Sequence, residues 1–291
     1  MKTSETRTLN LALPKGRMQD GVVTLLDEAG IGVRSYDRDD RPRVSVPGYD
    51  AKRLKPQNVV EMLHAGSRDV GFAGADWVAE LGADLVELVD TGLDPVSVVA
   101  ASPASLLEGG QLPTDRGLVV ASEYVGLTSR WIEERGLNAT LVRSYGATEA
   151  FPPEDADFIV DNTATGRTLK ENGLAVIEVL MTSSTRLFAN PAAVKDEAVG
   201  TRINDLVLLL KSVLDARQRV MLEVNVSESD LEALVEVLPC MRDPTVARLH
   251  GDAGYAVRAA VPKAGLPQLL LAVRACGATD LVVSQPAQIV S

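Results

Sequence analysis

The chain predicts a mixed α/β protein: a two-lobed, doubly wound region, followed from about residue 218 by a small unit of its own. Three observations predict this. Short apolar runs alternate with helical patterns over most of the length. A stretch rich in Ser, Pro, Gly and Asp interrupts that rhythm at residues 102–116. After the long helical pattern at Asn204–Arg219, strictly alternating residues begin a different grammar. A length of 291 residues suits two or three compact units.

The elements follow in order. Leu9–Leu13 reads as a strand and Met18–Ala29 as a helix ended by Gly30. Val59–His64 lies on a helix and Asp69–Ala73 is a strand. Leu85–Val89 and Val96–Ala100 are further strands. Beyond the break, Gly117–Ala121 is a strand, Tyr124–Arg135 a helix, and Thr140–Ser144 and Asp157–Asp161 strands. Thr168–Asn172 opens a helix that Gly173 ends. Val176–Met181 and Thr185–Ala189 read as strands returning to the first lobe. The rhythm predicts a largely parallel sheet. Lobe I is expected at residues 1–97, completed by about 185–217, and lobe II at 98–184. In the last unit, 218–291, Val220–Val226 is a half-buried strand, and Ser227 caps a helix reaching Leu238. Thr245–Leu249 and Tyr255–Val261 are strands, Gly265–Cys276 is a helix and Asp280–Ser284 a strand. That β-α-β-β-α-β order is the ferredoxin-like, ACT-like unit.

Composition excludes several classes. A net charge of −11 opposes sequence-independent nucleic-acid binding, which runs on clustered Lys and Arg. Two distant cysteines, Cys240 and Cys276, indicate neither a disulfide framework nor a zinc knuckle. Two histidines do not suggest a multi-histidine metal site. The polar start, Met1–Asn10, does not read as a signal peptide, and no apolar run approaches a membrane span. A cytoplasmic protein with no membrane or nucleic-acid partner is expected.

Three segments carry chemistry. In Asp157–Leu169 an apolar strand ends in the carboxylate Asp161; a loop, Thr163-Ala164-Thr165-Gly166-Arg167, leads to Thr168 at a helix start. Hydroxyls and unhindered N–H groups at a helix N-terminus suit a phosphate, and Asp161 suits a ribose diol. The plain alternative is a turn with Thr165 or Thr168 as N-cap. Arg167 either adds charge or points to solvent. Lys15, Gly16 and Arg17 follow the first strand and offer cations. Gly74 and Asp76 close a strand in a Gly turn, where Gly74 is expected to permit close approach of a ligand. No P-loop signature is present.

Together these segments resemble the ATP phosphoribosyltransferase family: Leu13-Pro14-Lys15-Gly16-Arg17, the run Asp69–Asp76, and Asp157–Leu169. The runs 121–124, 145–149, 172–174 and 184–187 agree, and the resemblance covers about residues 8–285. Two stretches depart from the family pattern, Lys55–Asn58 and Phe151–Asp157. The C-terminal unit resembles that of the family's long form, which needs no separate regulatory subunit. The resemblance implies transfer of a phosphoribosyl group from phosphoribosyl pyrophosphate to N1 of ATP, dependence on Mg2+, inhibition by histidine, and a dimer–hexamer equilibrium. It implies that Asp161 and Glu149 are the catalytic pair, acting at the ribose or a metal, and that Asp161 with Thr163, Ala164, Thr165, Gly166, Arg167 and Thr168 binds the donor. Lys15, Gly16, Arg17, Gly74 and Asp76 fall to ATP or pyrophosphate. For histidine it points to Asn225, Met241, Asp243 and Thr245. The metal ligands stay unassigned. A rival reading is a non-catalytic binding protein, since the two expected lobes resemble type II periplasmic binding proteins; the loop at 161–169 separates the two, because a solute receptor does not need it.

Overall fold

A computed structural model describes residues 7–34 and 40–290. The chain divides into two compact units, one of residues 1–27 and 31–205, the other of residues 28–30 and 206–291.

The first unit is built on one eight-stranded sheet. Its strands are β1 (Leu9–Pro14), β4 (Tyr49–Leu54), β5 (Val70–Gly74), β6 (Val86–Pro103), β7 (Leu118–Ser122), β8 (Ala139–Arg143), β9 (Phe158–Thr163) and β10 (Leu174–Ala189). Strands β2 (Val33–Arg34) and β3 (Arg43–Val44) form a separate ribbon. The order is β4-β1-β5-β10-β6-β9-β7-β8. Pairs β4–β1–β5 and β9–β7–β8 are parallel. The central pairs β5–β10, β10–β6 and β6–β9 are antiparallel. The sheet is therefore parallel on both flanks and antiparallel in the middle, where a largely parallel sheet was expected.

The centre differs for a reason legible in its chemistry. Each expected pair of short strands is one long strand. Gly92 and Asp94 take left-handed backbone, at φ 65° and 48°, and the β6–β10 register shifts between Ser183 and Arg186. Bulges let extra residues loop out while pairing continues, so turn-forming residues sit inside a strand. Strand β4 escapes the apolar pattern because Tyr-Asp-Ala-Lys-Arg-Leu is a sheet-edge sequence with only Ala51 buried.

Helices α1 (Met18–Glu28), α2 (Pro56–His64), α3 (Ala75–Leu81), α4 (Val125–Arg135) and α5 (Arg167–Glu171) connect the strands. Pro56 of the departing Lys55–Asn58 stretch opens α2, where its missing N–H costs nothing. On one flank Val59, Val60 and Leu63 of α2 pack with Ala12 and Phe188. On the other, Tyr124 and Trp131 pack with Val98, Val120, Phe158 and Val160. The expected lobe boundaries at 97/98 and 184/185 fall inside β6 and β10.

Helix α6 (Pro191–Lys195) precedes α7 (Glu197–Arg217), which begins earlier than its apolar pattern suggests because Asp196 accepts from the N–H groups of Ala198 and Val199. The second unit takes in the chain from Leu206, ahead of the expected start at 218. Its sheet orders β12 (Thr245–Arg248), β13 (Tyr255–Pro262), β11 (Arg219–Val226) and β14 (Thr279–Ser284), all antiparallel. Helices α8 (Leu231–Val237) and α9 (Leu266–Ala275) complete the β-α-β-β-α-β order. Strand β11 alternates strictly, burying Val220, Leu222, Val224 and Val226 with Leu234 and Val273 of the helices. Ser227 does not cap a helix; its hydroxyl bonds to Ser229 and Asp230 in a short turn ahead of α8.

Candidate functional site

The strand end at Asp161 is shaped by two earlier residues. Asp157 takes the Val119 N–H (2.7 Å) and the Arg116 guanidinium (2.7 Å), which hold its carboxyl below the usual range and fasten β9 to β7. Ser122 donates to the Val160 carbonyl (2.6 Å) and accepts the Tyr124 N–H. Asp157 thus serves the sheet, and the chain emerges at Asp161.

From there the loop turns sharply. Gly166 N–H donates to the Thr163 hydroxyl (2.9 Å), and Gly166 sits at φ 72°, which a residue with a Cβ rarely adopts. Gly166 itself is the residue capping α5, with no side-chain cap, so the hydroxyls of Thr165 and Thr168 are not spent as caps. Thr165 and Thr168 are exposed. Arg167 is largely exposed and pairs with Glu171 at 2.7 Å.

A cavity of about 390 Å³ lies against this loop, lined by Asp161–Thr165 and Arg167–Leu169, with Arg17, Glu123, Gly146, Thr148 and Glu149. It gathers three carboxylates: Asp161, Glu149 and Glu123. Burial pushes the Asp161 carboxyl up to about 6; the Asn162 N–H and the Thr148 hydroxyl oppose the rise, and Glu123 and Glu149 add to it. Thr148 is itself buried and shares a hydrogen bond with Ser144 (2.8 Å). Gly146 and Ala147, both in left-handed backbone, carry the chain over to Thr148 and Glu149.

Beside this cavity is a buried polar chain. Asp76 Oδ2 accepts from the Tyr124 hydroxyl (2.6 Å) and Oδ1 from the Ser183 hydroxyl (2.6 Å). The Asp76 N–H donates to Ser183 Oγ (3.0 Å), and Asn162 Nδ2 donates to the Tyr124 oxygen (2.9 Å). Trp77 stacks on Tyr124 with ring centres 4.9 Å apart. Arg17, Gly74, Asp76, Tyr124, Asn162 and Ser183 border a second hollow of about 50 Å³.

Of the residues singled out in the sequence, the cavity brings together Asp161, Glu149, Thr163, Ala164, Thr165, Arg167, Thr168 and Arg17. Lys15 is not among them; its ammonium pairs with Asp40 at 2.6 Å. Gly16 turns the chain at φ 78° between the two cations. Gly74 does not face open space. Where a Cβ would stand, the Asp76 carboxylate lies, so Gly74 leaves room for that side chain. Glu123, Tyr124, Asn162 and Ser183 went unremarked as site residues. The Ser-Glu-Tyr run carried a signal, since a carboxylate at a strand's carboxyl end repeats the logic of Asp161.

In the second unit, Met241, Asp243 and Thr245 line a hollow of about 390 Å³ with Met221 and Arg258. Asn225 is not part of that lining; it donates to Asp280 at 3.0 Å.

Fold and site define an α/β protein with a hydroxyl-bearing loop lining a cavity at a strand end, followed by a ferredoxin-like unit. Comparison with known proteins is specific. The ATP phosphoribosyltransferase (HisG) family model matches residues 55–212, and that of the HisG C-terminal domain matches 216–285. An ATP phosphoribosyltransferase of Chlorobium phaeovibrioides is 32% identical over 287 residues, covering 96% of each chain. One of Pelotomaculum thermopropionicum is 32% identical, over 94% of this chain and 96% of its own. Among solved structures, the ATP phosphoribosyl transferase (HisG:HisZ) complex of Thermotoga maritima matches with a TM-score of 0.62 and 26% identity, over 70% of this chain and 99% of that one. The chain belongs to the ATP phosphoribosyltransferase family and is a transferase. Among the described residues no helix is long and apolar enough to cross a membrane.

Proposed function

We propose that this protein joins N1 of the ATP adenine to C1 of phosphoribosyl pyrophosphate, releasing pyrophosphate, as the first step of histidine biosynthesis. The observation that carries this reading is the one cavity shared by Asp161, the Thr163–Thr168 loop, the Glu149 and Glu123 carboxylates and Arg17. Loop hydroxyls and N–H groups hold the donor's 5-phosphate. Asp161 and Glu149 accept hydrogen bonds from its ribose hydroxyls. As the C1–oxygen bond to pyrophosphate breaks, C1 gains positive character, and adenine N1 supplies the lone pair for the new bond. A neutral ring nitrogen needs no base, so the residues align and stabilise charge. The carboxylates favour the positive centre, and Arg17 meets phosphate oxygens.

Magnesium belongs to the same reading. Among the described residues no three His, Cys, Asp or Glu side chains are grouped to hold a metal ion alone. A donor set of Asp161 or Glu149 plus substrate phosphate oxygens is what this cation accepts. When bound, it neutralises the leaving pyrophosphate. The loop and cavity lie within residues 17–169, whereas the hollow at Met241–Thr245 suits an amino-acid inhibitor, with Asp243 for its ammonium. Histidine is proposed to bind there, in a cytoplasmic homo-oligomer that has no separate regulatory subunit.

Incubating the protein with ATP, phosphoribosyl pyrophosphate and Mg2+ should yield phosphoribosyl-ATP. No product under conditions where the protein is folded would defeat the proposal.

A further inference from the structure

We propose that the second unit carries an anion site, apart from the cavity and the two hollows described above, for a compact phosphate-type dianion. A concavity of about 450 Å³ opens there, with Arg217, Arg219 and Lys263 on its wall alongside Glu28. Three cations in one hollow are notable in a chain of net charge −11. One of them is spoken for. Arg217, in the last turn of α7, holds the Glu28 carboxylate through Nε (3.0 Å) and Nη2 (2.8 Å). Arg219 and Lys263 have no acidic partner among the described residues.

Their placement is set by the backbone. Arg219 pairs with Pro262 across β11 and β13, and the Lys263 N–H donates to the Gln218 carbonyl at 2.8 Å. The two residues therefore stand at adjoining strand ends. Strand alternation puts Arg219 on the face opposite buried Val220 and Leu222. Two like charges held side by side repel, and folding gains nothing from leaving both unmatched. An oxyanion relieves that repulsion: a guanidinium can grip two of its oxygens and an ammonium a third. Gln285 and Pro286 also line the concavity. This inference uses no residue of the Asp161 cavity and stands or falls separately from the proposed reaction.

Isothermal titration of the full chain with inorganic phosphate, with NaCl holding ionic strength constant, tests it. The folded double variant Arg219→Gln/Lys263→Gln should lose one class of phosphate site, its affinity falling about tenfold or more. Thr168→Ala, altered in the other cavity, should keep that class. Circular-dichroism melts without phosphate establish folding; should the double variant not fold, Lys263→Gln alone is read the same way. Ribose 5-phosphate as a second probe separates the sources, binding more tightly than phosphate if the natural occupant is an ester. Superimposable phosphate isotherms for the wild type and the folded variant overturn the proposal, as does equal heat from added NaCl.

Discussion

At the scale of single residues, Asp161 concentrates the testable chemistry. Burial raises its carboxyl to about 6. The folded state therefore holds a proton that the unfolded chain, near the ordinary aspartate value, has already released. Stability contributed by this group is present below about pH 4 and declines as pH rises toward about 6. Asp161→Asn should accordingly raise the melting temperature relative to wild type above about pH 6, with the gap closing toward about pH 4. A gap independent of pH would disprove the assignment. On the proposed reaction activity runs the other way, because there the ionised carboxylate is the form that would serve ribose or metal. Asp161→Ala and Thr168→Ala should each weaken donor binding by about 1.5–3 kcal/mol while the fold persists, as read by titration and circular dichroism. The two cations after β1 should separate. Arg17→Gln should raise Michaelis constants and flatten their salt dependence, whereas Lys15→Gln should do little, since Lys15 is committed to Asp40. Equal effects would show that Lys15 turns toward substrate.

Among elements, the Asp76–Tyr124–Asn162 chain fastens the start of α3 to the start of α4 and the end of β9. Burial, with Asp76 next, pushes the Tyr124 hydroxyl far above its ordinary value, so it remains a donor. Tyr124→Phe leaves an Asp76 oxygen buried without that partner and should cost about 1–3 kcal/mol in urea unfolding. An unchanged midpoint would mean that water replaces the hydroxyl. Elements with regular patterns, such as α4 and β11, were legible in the sequence, and so was the Asp161–Thr168 loop, because turn glycine, hydroxyls and carboxylate are adjacent. The polar chain was not: Asp76, Tyr124 and Ser183 lie far apart in the chain, and only the sheet order β5-β10-β6-β9-β7 brings them together. The pairing of Lys15 with Asp40 was not legible either, because Asp40 comes from a segment with no periodic signal. The β6 and β10 bulges hid behind residues that ordinarily end strands.

On the scale of the molecule, the last unit is matched by a family domain of its own. Thr245→Ala should weaken histidine inhibition about fivefold or more while leaving uninhibited turnover intact, since Thr245 is remote in the chain from the Asp161 loop. Unaltered inhibition would move the histidine site elsewhere. The strand order carries a further consequence, for biosynthesis. Strand β10 sits between β5 and β6, yet it is translated some seventy residues after β6 ends. A growing polypeptide on the ribosome thus holds β5 with one flank unzipped until Ala189 has cleared the exit tunnel. Nascent chains arrested before Leu174 should be cut readily by protease around β5 and β6 and recruit chaperones, whereas those arrested well beyond Ala189 should resist.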